Sequence, residues 1–290
     1  MSESAASKIV IFDTTLRDGE LTPGVTMNLH QKLSVAKLLE AMRVDVIEVG
    51  YPGVYQKDFD ELVAVSQAVQ NSVVCGLASS KRDEIDCVGQ AIKSAAQGRI
   101  NLFTPINLNS HSDVKREHVL DAIQTSIKQA RDYCDDVEWN AFDATRSDPD
   151  FICKTVETAI QAGATTICIP DSLGVATPDT FTTLLELLFN RVSRLDQVSV
   201  AVHCHDDLGF AVENSIAALT CGVTQIECSI NGLGARAGNA DLAEVVNTID
   251  QNNQRGDRTH QTQPAPHPHY QLDIDTTLLQ QASDLVSQTW

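Results

Sequence analysis

The sequence predicts an α/β fold, a (β/α)8 barrel of the TIM type followed by a short C-terminal linker and helix. Eight short apolar runs alternate with amphipathic stretches. The runs are rich in Val and Ile and too apolar for a sheet with one wet face, which suits parallel strands covered on both faces. Polar motifs follow the first, seventh and eighth runs, and a barrel gathers those strand ends into one mouth where an open doubly wound sheet does not. Eight strand–helix units in roughly 250 residues match the usual size of such a barrel.

The runs, in order, are "KIVIFDTTL", "VDVIEVGY", "SVVCGLAS", "RINLFTPI", "DVEWNAFDA", "TTICIPD", "QVSVAVHCH" and "TQIECSING". The start, "MSESAASK", is polar and lacks the apolar centre of a secretory signal. Residues 1–7 are therefore expected to fray and residues 8–250 to form the barrel. Asn28 opens the first helical pattern, with Leu29, Leu33, Ala36 and Leu39 on one face. Asp148 caps the next clear one, Pro149 occupies its first turn, Ile152, Val156 and Ile160 form its apolar face, and Gly163 stops it. Thr177 and Pro178 repeat the start signal. Residues 251–270, "QNNQRGDRTHQTQPAPHPHY", are polar and carry Pro and His, so they are expected to be a flexible linker. A metal tract of His260, His267 and His269 is the weaker alternative. Residues 271–290 are expected to supply a final helix.

The 290 residues carry 39 acids against 21 bases, a net charge of -18. Nucleic acid and anionic membrane are excluded as partners by that balance, because both need a positive face. No apolar run approaches the ~20 residues of a membrane helix. None of the eight cysteines forms a C-x-x-C pair, and most lie in apolar runs. They fit buried thiols of a cytoplasmic protein rather than a disulfide framework.

Three stretches carry chemistry. In "VHCHDD" residues two apart on a strand face the same way, so His203 and His205 point together into the mouth while Cys204 points to the helices. Such a pair is a good ligand set for a divalent ion when a carboxylate joins it, and equally a pair of polar turn residues when none does. In "FDTTLRDGE" Arg17 and Asp18 follow the first strand, which lies near the seventh in a closed barrel; Asp18 is the candidate third ligand, and an exposed turn before Gly19 is the alternative. Asp13 is expected to hold the strand end. In "NGLGARAGNADL" the glycines permit a tight loop that could receive an anion, and Asn239 is either a helix cap or a polar group near the metal.

Together "FDTTLRDGE", "VIEVGYP", "IPDSLGVATP", "VHCHDDLGFAVENSIAAL" and "NGLGARAGNADLAEVV" resemble the 2-isopropylmalate synthase and homocitrate synthase family, from about Lys8 to Ile249. "RDYCDDVEW" and "ATTICIPDS" favour the isopropylmalate branch. The resemblance implies condensation of acetyl-CoA with a small 2-oxo acid on a divalent metal, Mg2+ or Mn2+ before Zn2+. It implies Asp18, His203 and His205 as ligands with Asn239 at the metal, Arg17 against developing negative charge, and Ser172 and His111 at the substrate.

The sequence also departs from the family's pattern. Leu21 stands for a glutamine, Ala235 for a glutamate, and Phe142 for the glutamate that partners the arginine. Asp143, next to Phe142, faces the other way on a regular strand and would need a bulge to replace it. Family members continue into further subdomains that supply a catalytic histidine. The alternatives are therefore an aldolase or lyase on the same metal, or a catalytically impaired paralogue or split subunit needing a C-terminal partner. A homodimer is the other assembly implied.

Overall fold

The computed structural model describes residues 7–108, 115–259 and 269–289. Eight parallel strands close a barrel in chain order: β1 (Val10–Asp13), β2 (Val46–Glu48), β3 (Val73–Ser79), β4 (Gly98–Pro105), β5 (Asp136–Phe142), β6 (Thr166–Asp171), β7 (Ser199–Cys204) and β8 (Gln225–Cys228). The seam between β1 and β8 runs from Val10↔Gln225 to Asp13↔Cys228. All eight expected strands are present. Helices α1 (Leu29–Ala41), α2 (Gln56–Ala68), α3 (Arg82–Ala91), α4 (Arg116–Arg131), α5 (Pro149–Ala162), α6 (Pro178–Arg191), α7 (Ala211–Leu219) and α8 (Leu242–Thr259) follow the strands, and α9 (Leu279–Ser287) ends the described chain.

Alternation along the strands separates two environments. Outward residues such as Ile11, Ile47, Val74, Ile100, Val137, Ile167 and Ile226 join the helices in one hydrophobic core. Inside the barrel, Phe12, Val46 and Cys75 make a small apolar plug. Other buried positions on the strands carry Glu48, Arg99, Asn101, Glu138, His203, Gln225 and Glu227. They pair in part: Arg99 Nη1 donates to Glu138 Oε2 (2.8 Å) and Gln225 Oε1 (2.9 Å), and Asn101 Nδ2 to Glu48 Oε1 (3.1 Å), while Asn101 Oδ1, Glu138 Oε1 and Glu227 Oε1 have no hydrogen bond. Such pairing offsets much of the cost of burying polar groups.

The helix signals act where expected. Asn28 and Gln31 form a reciprocal capping box on α1, Asp148 accepts from Phe151 N at 2.9 Å, and Gly163 ends α5 at φ 106°. Two details differ. Leu29 is 42% exposed, whereas Lys32 is fully buried on the inner face of α1 with Val35, Ala36 and Leu39. Burial of that lysine is possible because its Nζ lies 2.5 Å from Glu20 and 2.7 Å from Glu61, and donates to Leu16 O at 3.1 Å.

Helix α8 runs on to Thr259, into the stretch expected to be linker. No Pro or Gly interrupts that stretch before Gly256, and polarity marks a solvated helix as well as a loop. Asn253 on α8 clamps the backbone of Tyr270, donating to its carbonyl at 2.7 Å and accepting from its N–H at 3.0 Å. Tyr270–Gln271 then pairs in parallel with Ser7–Lys8. His269 is exposed and its carbonyl accepts from Ser7 N at 3.0 Å, while His260 and His267 lie outside the described residues. Among the described residues no helix is long and apolar enough to cross a membrane.

Candidate metal centre and barrel mouth

The loop after β1 carries the first part of the site. Asp13 ends the strand and accepts from Thr15 N and Thr15 Oγ1, both at 2.9 Å, which turns the chain sharply. A single 3-10 turn, Asp18–Leu21, follows, and Asp18 is buried. Arg17 Nη1 donates to Asp18 Oδ1 at 2.9 Å. Burial alone would raise the Asp18 pKa; the Arg17 charge and the neighbouring imidazoles outweigh it and hold the carboxyl at about 2.

The end of β7 carries the second part. His203 and His205 face the same way, ring centroids 4.9 Å apart, and Cys204 between them is buried in the outer core. His203 Nδ1 contacts Glu227 Oε2 at 2.9 Å, and its Nε2 lies 3.9 Å from Asp18 Oδ2. His205 Nδ1 faces Gly238 O at 3.3 Å, leaving its Nε2 for the mouth. Burial lowers both imidazole pKa values, that of His205 to about 4 with help from His203. Both are therefore neutral near pH 7, the form that ligates metal.

The loop after β8 closes the site. Asn239 pairs with His205 in an antiparallel bridge. Its Nδ2 donates to Asp18 Oδ2 at 2.7 Å and Thr14 Oγ1 at 3.2 Å, and its buried Oδ1 has no partner. Glycine is required around it. A Cβ on Gly234 would sit 2.6 Å from Asn239 Cγ, and Gly238 adopts φ 104°, where a Cβ would collide with Gly232 O.

These residues fit a divalent ion. Ligand atoms of Asp18, His203 and His205 lie within 4.8 Å of one another, and the Asn239 Oδ1 beside them is a buried oxygen left without a bond. A mixed oxygen and imidazole set suits Mg2+, Mn2+ or Zn2+. A deeper cluster of Glu138, Cys168 and Glu227 has the same spacing. One oxygen of each carboxylate is engaged, Glu138 Oε2 by Arg99 and Gln225 and Glu227 Oε2 by His203, while Oε1 of each is buried without a hydrogen bond.

A model of the HMGL-like family matches residues 8–286. The chain belongs to the HMGL-like family. Curated relatives include the 2-isopropylmalate synthase of Methylobacterium nodulans, 44% identical over 293 residues that cover 99% of this chain and 54% of that protein. The 2-isopropylmalate synthase of Hydrogenovibrio crunogenus is 47% identical over 245 residues, 83% of this chain and 48% of that protein. The chain spans about half the length of the curated relatives it matches. Among solved structures, the HMG-CoA lyase of Bacillus subtilis superimposes with a TM-score of 0.78 at 16% identity, covering 97% of this chain and 93% of that one. At that identity the likeness is one of fold.

Within this HMGL-like barrel Arg17 has a carboxylate partner on β2: its Nε donates to Glu48 Oε2 at 2.7 Å. Glu48 ends β2 and is fully buried. Asp143 takes no part in this pairing: in a left-handed turn at φ 67°, it pairs with Arg146 at 2.6 Å and accepts from Asn107 at 2.8 Å. Glu48 and Glu227 are the residues that sequence reasoning missed. Their signal was an acid within an apolar run, "VIEVGY" and "TQIECS", at positions that alternate inward.

The remaining candidates sit around the mouth. Ser172 Oγ accepts from Asp143 N at 2.9 Å and lines the cavity. Asp206 accepts from Ala211 N at the start of α7, and Asp207 pairs with Arg236. Leu21, Phe142 and Ala235 all line the same cavity. His111 lies outside the described residues.

Proposed function

We propose that this chain is the metal-dependent catalytic barrel of an acyltransferase that condenses acetyl-CoA with a 2-oxo acid, as a 2-isopropylmalate synthase-like enzyme. The observation that carries the reading is the convergence of Asp18, His203 and His205 at the strand ends, with Arg17 beside them. Similarity to 2-isopropylmalate synthases across nearly the whole chain supports the same reaction class.

Asp18, His203, His205 and Asn239 would hold the ion, with Mg2+ or Mn2+ favoured by a carboxylate-bearing substrate. A divalent ion there supplies Lewis-acid polarisation of a ketone. Glu227 and the Gly238 carbonyl orient the two imidazoles, leaving Nε2 of each free. Arg17, locked between Glu48 and Asp18, presents a fixed cation to the oxygen on which negative charge grows; such preorganised donors are worth roughly 2–4 kcal/mol of barrier. The Ser172 hydroxyl, already accepting one N–H, retains its own proton to donate to the substrate carboxylate. Free cysteines throughout the described residues support a reducing, cytoplasmic setting.

Mixing the Mn2+-loaded chain with acetyl-CoA and a panel of 2-oxo acids should release free CoA thiol, read with a thiol reagent. Absence of thiol release with every acid in excess metal would contradict the reading. Formation of acetyl-CoA or pyruvate from hydroxy acids without any condensation would instead point to a lyase.

A further inference from the structure

The mouth has two chemically different halves around a cavity of about 400 Å3. One half carries Arg17, Asp18, Ser172, His203 and His205. The other, at the ends of β2 to β5, is mainly apolar, with Tyr51, Leu77, Phe103 and Phe142 beside Asn140, while Leu21, Leu173 and Ala235 add apolar side chains from the loops after β1, β6 and β8. Its rings form a continuous series, with centroids 5.9 Å apart from Tyr51 to Phe103 and 6.0 Å from Phe103 to Phe142.

This apolar surface is not core. Phe142 is 43% exposed at the end of β5 and Leu21 57% exposed in the loop after β1. Exposed large apolar side chains contribute little to folding, and gathered around a concave site they mark a surface for a ligand. The charges on the wall are also committed. Arg17 holds Glu48 and Asp18, and Arg236 holds Asp207 through two nitrogens and donates to Ser172 O at 2.9 Å. A second carboxylate at the far end of a substrate would meet mainly apolar side chains and the Asp58 carboxylate, with no unpaired arginine or lysine among the described lining residues. The three departures from the family pattern, at Leu21, Phe142 and Ala235, each place an apolar side chain in the lining of this cavity, Phe142 from β5 and the other two from the loops after β1 and β8.

We propose that the apolar half receives the side chain of the 2-oxo acid, that this side chain is an aromatic ring, and that Phe142 with Phe103 is the specificity-determining wall. The inference rests on the reading of the polar half as a site for a metal and a 2-oxo acid. A ring entering beside Phe142 extends the Tyr51–Phe103–Phe142 series at the edge-to-face spacing that aromatic pairs prefer.

The test is calorimetric and needs no turnover. The chain is loaded with Mn2+ and titrated separately with 2-oxopropanoate, 3-methyl-2-oxobutanoate, 3-phenyl-2-oxopropanoate and 2-oxoglutarate. The phenyl acid is expected to bind about tenfold or more tighter than 2-oxopropanoate and 2-oxoglutarate, and tighter than the branched acid. Phe142→Glu should erase most of that preference and Phe142→Leu only part of it, with Mn2+ affinity reporting that the polar half of each variant is intact. A phenyl acid that binds no tighter than 2-oxopropanoate, a preference for 2-oxoglutarate, or a preference that survives Phe142→Glu overturns the inference while the metal and oxo-acid reading stands. Binding of none of the four acids overturns both.

Discussion

Arg17 and Glu48 form a buried ion pair, Nε to Oε2 at 2.7 Å, joining the loop after β1 to the end of β2. The pair fixes the guanidinium beside Asp18 without help from β5. Glu48→Ala would leave Arg17 with Asp18 alone, at the lower end of the about 3–5 kcal/mol that breaking a buried pair costs. Glu48→Gln keeps a hydrogen bond and should cost less, about 1–3 kcal/mol. Urea unfolding of both variants checks the order; equal stability of Glu48→Ala and the parent would refute the pairing.

Lys32 should prove as important for stability as any apolar core residue. Its ammonium group, fully buried, neutralises Glu20 and Glu61 and holds the Leu16 carbonyl just before Arg17. Lys32→Met leaves Glu20 and Glu61 with only the half-exposed Lys57, 3.4 and 3.5 Å away, and is expected to destabilise by about 3 kcal/mol. Chemical denaturation reads this directly, and a loss below 1 kcal/mol would show that the network contributes little.

The strand count, the barrel and its mouth were legible because apolar runs bounded by caps are local signals. So were Asp18, His203 and His205, whose short motifs stand at strand ends. The partners of those residues were not. Glu48 and Glu227 are single acids inside apolar runs, and their meaning depends on which strand lies opposite, a nonlocal fact. Hydrophobicity puts Leu29 on the buried face, yet the burial of Lys32 turns the face, and that burial depends on Glu20 and Glu61, outside the helix. The extent of α8 is not legible because a solvated helix and a polar linker share a composition.

Glu84 links stability to acidity. Burial opposes its charge, but hydrogen bonds from Tyr51, Ser79 and Lys81 outweigh burial and hold its pKa at about 2 against an ordinary 4.5. A carboxyl lowered in the folded state contributes stability above its unfolded pKa and loses it as pH falls toward the folded one. The chain should therefore lose stability from about pH 4.5 down to about 2. Thermal melts of Glu84→Gln should fall less steeply across that window than the parent's; parallel curves would count against the assignment.

Glu227 should act on metal affinity through His203. Its Oε2 at 2.9 Å from Nδ1 fixes the ring and its tautomer. Removing such an orienting carboxylate typically weakens metal binding about 10–100-fold. Glu227→Gln, checked for intact secondary structure by circular dichroism, should show that loss in a Mn2+ titration, whereas unchanged affinity would reduce Glu227 to a filler of the barrel.

Asp18, His203 and His205 together are expected to hold one divalent ion. Isothermal titration with Mn2+ tests this on the parent and on Asp18→Ala, His203→Ala and His205→Ala. One site per chain is expected in the parent and a loss of at least about 100-fold in each variant, since each removes one of few protein ligands. Binding of comparable strength in all four proteins, or no binding in the parent, would contradict it.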